Sequence, residues 1–237
     1  MNSILAIETS TAACSVALSY KGQIFHIFEM LPQRHAHRVL EMVDEVLKQA
    51  DATDADIDYL AYGEGPGAFT GIRIATGVVQ GLALGWSKPV IAVSSLEAMA
   101  FAGLQSLDIF TGTDPVEWVT LMDARMKEIY WQSGTYDPSN NEWMAQEPEL
   151  LTEDVIKNRL MLDARQVFGD IQNAYPEFAG SISGWHESLP TAKAVVELAD
   201  EKYQTAELIS EHVPLPVYLR NNVAETIAQR QAKKVNV

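Results

Sequence analysis

The sequence predicts an α/β protein in which a mixed sheet carries packed helices. Three observations support this. Apolar runs of strand length open the chain, helical spacing follows them, and strands then alternate with helices. Residues 4–7, Ile-Leu-Ala-Ile, form a short buried run, and residues 14–18 alternate at period two. Residues 23–28 follow a tight turn at Tyr20, Lys21 and Gly22. Three strands so close in sequence pair most simply as an antiparallel meander.

Beyond residue 36 the period changes. Val39, Leu40, Met42, Val43, Val46, Leu47 and Ala50 trace a broad apolar stripe along a helix. Residues 51–58 are acidic and turn-like, and residues 59–62 form a strand closed by the glycine-rich stretch through Gly63, Gly65 and Gly67. A second helix over residues 70–85 and a buried strand at 89–93 complete the series. Strands paired early and then alternating with helices match the first half of a ribonuclease-H-like, actin-type domain. The second half is less regular. Strands at 116–122 and 128–135 flank Asp123, Ala124, Arg125 and Met126, and residues 137–141 make a hairpin turn. Helices are expected at 152–160 and 191–203, capped by Thr152 and Thr191, with a strand at 164–169. The lobe boundary falls near residues 106–113. Pro214 and Pro216 end regular structure, and the polar tail after Gln229 is expected to fray.

The chain has 237 residues, 47% of them apolar, which suits one large domain or two small ones. At this length roughly 70% of the unfolded surface is buried on folding, so no disulfide or metal staple is required. Against 32 Asp+Glu stand only 17 Lys+Arg, a net charge of −15, and the parts on either side of residue 110 are both acidic. A phosphate backbone is gripped by cations that release counterions, so direct nucleic-acid binding is not expected, and neither is an anionic membrane. Cys14 is the single cysteine, which excludes an intramolecular disulfide and a Cys-based zinc site. There is no basic leader and no apolar run near the roughly 18 residues of a membrane span, so a soluble cytoplasmic protein is expected.

Few motifs carry chemistry. No Gly-Lys-Ser/Thr occurs, and Thr70 stands where the Rossmann spacing from Gly65 and Gly67 requires glycine. The glycines either shape a strand-to-helix turn or expose amides to an anion at the following helix. His35 and His37 are two apart and cannot share a helical face as metal ligands; His26, His186 and His212 are isolated. Cys14 reads as a packed thiol. Glu8 and Asp123 end strands, where α/β folds place chemistry, although solvated loop acids give the same pattern. The helix over 70–85 is the most unusual feature. Gly77, Gly81 and Gly85 recur every four residues on one face, each costing up to about 1 kcal/mol of helix propensity. A close-packed neighbour, from this chain or from another protein, would offset that cost.

Several stretches together carry a family resemblance. They are residues 4–18, ILAIETSTAACSVAL; residues 61–73, AYGEGPGAFTGIR, whose part from Gly65 to Arg73 is the most specific; Gln80 to Leu84; Met122 to Arg125; and Pro216 to Val223. The chain resembles the TsaB (YeaZ) family, and most of all its gammaproteobacterial members. The resemblance implies an actin/Hsp70/sugar-kinase-like fold of two similar lobes, the second reduced. Residues 1–108 would form the first lobe, 109–212 the second, and 213–237 a segment packing back on the first lobe. It implies a non-catalytic partner of TsaD, a metal-bearing paralogue that transfers a threonylcarbamoyl group to an adenine of tRNA. The ATPase TsaE would join the pair, the chain alone would homodimerise through an overlapping surface, and it would need neither cofactor nor metal.

By the same resemblance the contact surface comes from two helices. His37, Leu40, Val43, Asp44 and Leu47 would lie on the first, and Ile74, Gly77, Val78, Gly81 and Gly85 on the second. The His-x-x-x-His pair of TsaD-type metal sites is absent. Glu8, Thr9, Ser10, Thr11 and Ala12 align with the Asp-x-Gly-Thr/Ser-Thr/Ser phosphate motif of actin-like folds. Ser10 puts a side chain where phosphate would approach the backbone, Ala12 lacks a hydroxyl, and Glu8 is longer than Asp. These departures put independent ATP hydrolysis in doubt. The competing class is an ATP-using phosphotransferase or a metallopeptidase on the same fold.

Overall fold

The computed structural model describes residues 2–160 and 166–220. In the first half the elements are β1 (Ile4–Glu8), β2 (Ala13–Tyr20), β3 (Gln23–Met30), α1 (His35–Gln49), β4 (Tyr59–Gly65), α2 (Phe69–Trp86), β5 (Val90–Ser94) and α3 (Ser95–Ser106). The sheet order is β3-β2-β1-β4-β5. β1 runs antiparallel to β2 and parallel to β4, and β4 runs parallel to β5. The β2–β3 hairpin turns at Lys21 and Gly22, both at positive φ (50° and 77°), as a two-residue turn matched to strand twist demands.

All five residues of β1 are buried because helices cover both faces of the sheet. Leu5, Ile7, Val16 and Leu18 point to one face and meet Val39, Met42 and Val46 of α1 with Ala75, Val79 and Ala83 of α2. Ile4, Ala6 and Ala17 point to the other face, where Ile91 and Val93 join them. The period-two alternation within each strand sorts side chains between these two layers.

The second half contains β6 (Val116–Asp123), β7 (Glu128–Asp137), β8 (Glu142–Ala145), β9 (Glu149–Thr152), α4 (Glu153–Leu160), β10 (Gln166–Gly169), α5 (Pro176–Ser181), β11 (Trp185–Glu187) and α6 (Ala192–Glu201). Its sheet reads β8-β7-β6-β10-β11, with β9 also pairing β7. β6 is antiparallel to β7 and parallel to β10, and β10 is parallel to β11. Both sheets therefore share one strand order and one set of directions, so the chain carries the same topology twice, with shorter outer strands in the second lobe.

The structure adds α5, β9 and β11 to the elements expected in the second half, and it differs from the sequence reading in two further helices. α3 was not among the expected elements. It is buried on nearly all sides, with Leu96, Met99, Ala100 and Leu104 joining Trp118, Met122 and Phe168 in a core shared by both lobes. α6 starts where Thr191 predicts, its Oγ1 accepting from the Ala194 N–H at 3.1 Å. It then packs on the first sheet rather than the second, with Ala192, Val195 and Leu198 against the layer of Ile4, Ala6 and Ala17. The expected second lobe of residues 109–212 is thus interrupted by a helix that completes the first. The expected strand at 164–169 is described from Gln166 onward. Residues 164–165, the end of the motif at 221–223 and the tail after Gln229 lie outside the described residues. Among the described residues no helix is long and apolar enough to cross a membrane.

Candidate functional site

The turn from β1 into β2 and the glycine loop after β4 lie back to back. Glu8 is 1% exposed, and its carboxylate accepts from the Ser10 N–H at 2.5 Å and from Ser95 Oγ at 2.7 Å. Burial pushes its pKa up, and those two hydrogen bonds partly oppose the shift. A Cβ on Gly63 would sit 1.7 Å from Glu8 Oε2, one on Gly67 would sit 2.6 Å from Ser10 Cβ, and one on Gly71 would sit 2.0 Å from the Thr9 carbonyl oxygen. These glycines are required for close approach of the two loops. Thr9 Oγ1 donates to the Gly71 carbonyl at 2.8 Å, and the Ala68 N–H donates to the Ser10 carbonyl at 2.7 Å. Thr11 Oγ1 accepts from the Ala13 N–H at 3.2 Å. Apart from Ser10 Oγ, which has no partner among the described residues, the hydrogen-bonding side chains of this stretch are engaged within the chain.

Between the lobes lies a cleft of about 1310 Å³. Ser10 and the first turn of α2 line one side, and Asp123, Arg125, Met126 and Asp170 the other. The two strand-end acids are not brought together there. Glu8 is turned into the first lobe beneath Ser95, whereas Asp123 lines the cleft, its Oδ1 accepting the Arg125 N–H at 2.8 Å and its Oδ2 pairing the Arg125 guanidinium at 3.1 Å. The Asp123 N–H donates to Asp170 Oδ1 at 3.0 Å, and desolvation pushes the Asp170 pKa up from 3.8 to about 6. His35 is buried, and its Nε2 donates to the Ala13 carbonyl at 3.1 Å. Cys14 is buried beside Met42, and burial pushes its pKa up to about 11. Among the described residues no three His, Cys, Asp or Glu side chains gather as a metal-binding group.

The helix faces stand out in a different way. Gly77, Gly81 and Gly85 are exposed, and a Cβ built on any of them meets nothing within 4 Å. The neighbour that would offset their helix cost is not among the described residues. Ile74 and Val78 beside them are half-buried, and Leu84 is 71% exposed. On α1, His37 and Asp44 are exposed, Leu40 is 55% exposed and Leu47 is half-buried. Val43 is the exception among the interface candidates. At 4% exposed it belongs to the core, because the apolar stripe of α1 is wide enough to serve the sheet with one edge and solvent with the other. Arg38 fixes the helix to the sheet edge, with its guanidinium on Glu29 at 2.7 Å and Glu45 at 2.6 Å. Those bonds hold both carboxylates below their usual pKa.

The family resemblance set residues 213–237 apart as a segment packing back on the first lobe, without naming its contacts. Residues 213–220 carry no regular secondary structure, and several of them bond to the first lobe. Gln80 Nε2 donates to the Pro214 carbonyl at 2.6 Å, Tyr62 Oη to Leu215 at 3.0 Å, and the Val217 N–H to Glu64 at 2.8 Å. Arg73 Nε donates to Tyr218 Oη at 2.7 Å, with its guanidinium 3.5 Å from the centre of the Phe69 ring. Arg220 then reaches the β6–β7 turn, where Arg125, Met126 and Lys127 all have positive φ (63°, 55° and 65°). Left-handed backbone costs roughly 1–2 kcal/mol per non-glycine residue, so this turn must be held. Arg220 Nη2 donates to the Ala124 and Arg125 carbonyls at 3.2 Å and pairs with Glu128. Contacts across some 95 positions leave no local sequence signal; only the Tyr218-Leu219-Arg220 motif marked the place.

A duplicated ribonuclease-H-like topology and an interlobe cleft define a protein of the actin-like, two-lobed class. Comparisons with known proteins narrow this. The family model described as "TsaD: tRNA N6-adenosine threonylcarbamoyltransferase" matches residues 29–167. The tRNA threonylcarbamoyladenosine biosynthesis protein TsaB of Haemophilus influenzae is 37% identical over 228 residues, covering 93% of this chain and 94% of that protein. The Escherichia coli protein of the same name is 38% identical over 229 residues, covering 93% and 96%. The solved structure of YeaZ from Pseudomonas aeruginosa is 34% identical, covers 92% of this chain and 100% of its own, and superposes with a TM-score of 0.77. The chain belongs to the TsaB family of tRNA threonylcarbamoyladenosine biosynthesis proteins, with close relatives among gammaproteobacteria.

Proposed function

We propose that the chain is a docking subunit that binds and activates TsaD, and that it carries no reactive centre of its own. The observation behind this reading is the open glycine face of α2. Three glycines weaken a helix in return for no contact among the described residues, while Ile74, Val78, Leu84 and Leu40 leave apolar surface beside them. Interface cores are built from such packed apolar area depleted in charge, and small residues let another backbone come close. The closed packing of the Glu8–Thr11 turn supports leaving phosphate chemistry to other subunits, since Glu8 is buried and Thr9 and Thr11 are spent on the backbone. A net charge of −15 supports leaving tRNA contact to a partner. The same face would serve self-association of the isolated chain, in competition with TsaD, and TsaE would join through the assembled pair.

The test mixes the chain with its TsaD on a sizing column and measures threonylcarbamoyl transfer with and without it. Co-elution and dependence of transfer on this chain are expected, and Gly81→Leu should abolish both while the isolated chain stays folded. Transfer that proceeds equally without the chain would overturn the assignment. Calorimetry with ATP and Mg²⁺ on the isolated chain separates the alternative, since stoichiometric binding with turnover would mark it as an enzyme.

A further inference from the structure

We infer that residues 213–220 are a strap that mechanically couples the exposed face of α2 to the strained β6–β7 turn of the second lobe. At one end the strap is tied to first-lobe side chains. Gln80 and Arg73, both on α2, hold Pro214 and Tyr218 at 2.6 and 2.7 Å, and β4 holds Leu215 and Val217 through Tyr62 Oη and the Glu64 carbonyl. Five residues after the first of these ties, Leu219 and Arg220 line the interlobe cleft, and the Arg220 guanidinium ends on the turn. There its two Nη atoms engage two carbonyls, the Glu128 carboxylate and the Met126 sulfur, all within residues 124–128, while its Nε has no partner among the described residues. Its other supports are the Asp123 carboxylate on the Arg125 N–H and guanidinium, the backbone pairs Ala124 N–H to Glu128 and Glu128 N–H to Arg125, and Tyr175 Oη donating to the Glu128 carbonyl at 3.3 Å. Three successive left-handed residues without a glycine persist only where the surroundings over-determine them.

The coupling follows from the short tether. A shift at Gln80 or Arg73 draws on Pro214 and Tyr218, and the single residue between Tyr218 and the Arg220 clamp, Leu219, leaves little slack to absorb it. Movement of α2 is therefore transmitted to the second-lobe turn and to the cleft mouth. This coupling is intramolecular and stands whether or not α2 docks TsaD. If α2 does dock TsaD, the strap reports occupancy of that face to the other lobe.

Hydrogen exchange on the full chain tests it, read at the Ala124, Arg125 and Glu128 amides with β1 amides as the reference for global opening. Arg220→Ala should speed exchange of the turn amides at least about tenfold with β1 unchanged, and Arg220→Lys, which keeps the charge but loses the fork, should fall between. The decisive variant is remote. Arg73→Ala with Gln80→Ala cuts the α2 ties and should also speed exchange of the turn, by a smaller factor, more than 40 residues of sequence and one lobe away. Unchanged turn exchange in that double variant would overturn the coupling, even if Arg220→Ala loosens the turn locally. Should Arg220→Ala fail to fold, the double variant and Arg220→Lys still decide the matter.

Discussion

Replacing Gly77 and Gly81 together with alanine should stabilise the isolated chain. Both sit inside the 18-residue helix α2, more than a turn from either end, and both Cβ positions are open to at least 4 Å. No packing is lost, so helix propensity alone sets the sign. Alanine is favoured over glycine by about 0.8–1 kcal/mol at each site, giving about 2 kcal/mol for the pair. For a chain of this size that raises Tm by about 4–8 °C. Urea denaturation and thermal melting at low micromolar protein, where self-association is suppressed, supply the measurement. The same variant should bind TsaD more weakly, because two methyl groups now fill the notch between the helix and its visitor. A double variant that is less stable than the parent at every protein concentration would refute the reasoning, since a neighbour would then have to occupy the glycine face within a single chain.

Three further outcomes follow from the same geometry. Gly63→Ala should destabilise by about 3 kcal/mol in urea melts, because its Cβ would expel the Glu8 carboxylate and break its bonds to Ser10 and Ser95; a neutral result would mean that Glu8 has another place to go. Asp170→Asn should flatten the pH dependence of stability. The native pKa of Asp170, about 6, exceeds its ordinary 3.8, so its contribution is full below pH 4 and fades as pH rises to 6. The parent should lose up to about 3 kcal/mol over that interval that the variant does not, as denaturation series at pH 4 and pH 7 would reveal. Leu40→Glu, at a 55% exposed position on α1, should leave melting within about 0.5 kcal/mol while lowering affinity for TsaD by calorimetry.

Much of the first lobe was legible because its periodicities are strong. The strands at 4–7, 14–18 and 23–28 alternate or run apolar, and α1 carries a one-sided stripe. α3 escaped because a helix buried on nearly every side offers no contrast between faces. Its signal was at the cap, where Ser94 accepts from the Glu97 N–H at 3.4 Å, the Ser-x-x-Glu spacing of a helix start. The destination of α6 was illegible for another reason: an apolar stripe says that a helix is covered but not which sheet covers it. The glycines from Gly63 to Gly67 were readable as a turn, yet Gly63 lies within β4, and its use only emerged from its contact with Glu8, 55 positions away. The glycines of α2 were readable as unusual, and what the structure adds is that no described residue packs against them.

The return of α6 to the first sheet has a consequence for biosynthesis. As the polypeptide leaves the ribosome, Ile4, Ala6, Ala17, Ile91 and Val93 emerge early, yet the helix that shelters them ends only at Glu201. For most of translation this oily layer faces the cytosol or a chaperone, and the two halves must mature together. Any fragment stopping short of that helix would keep its opening strands but stay sticky.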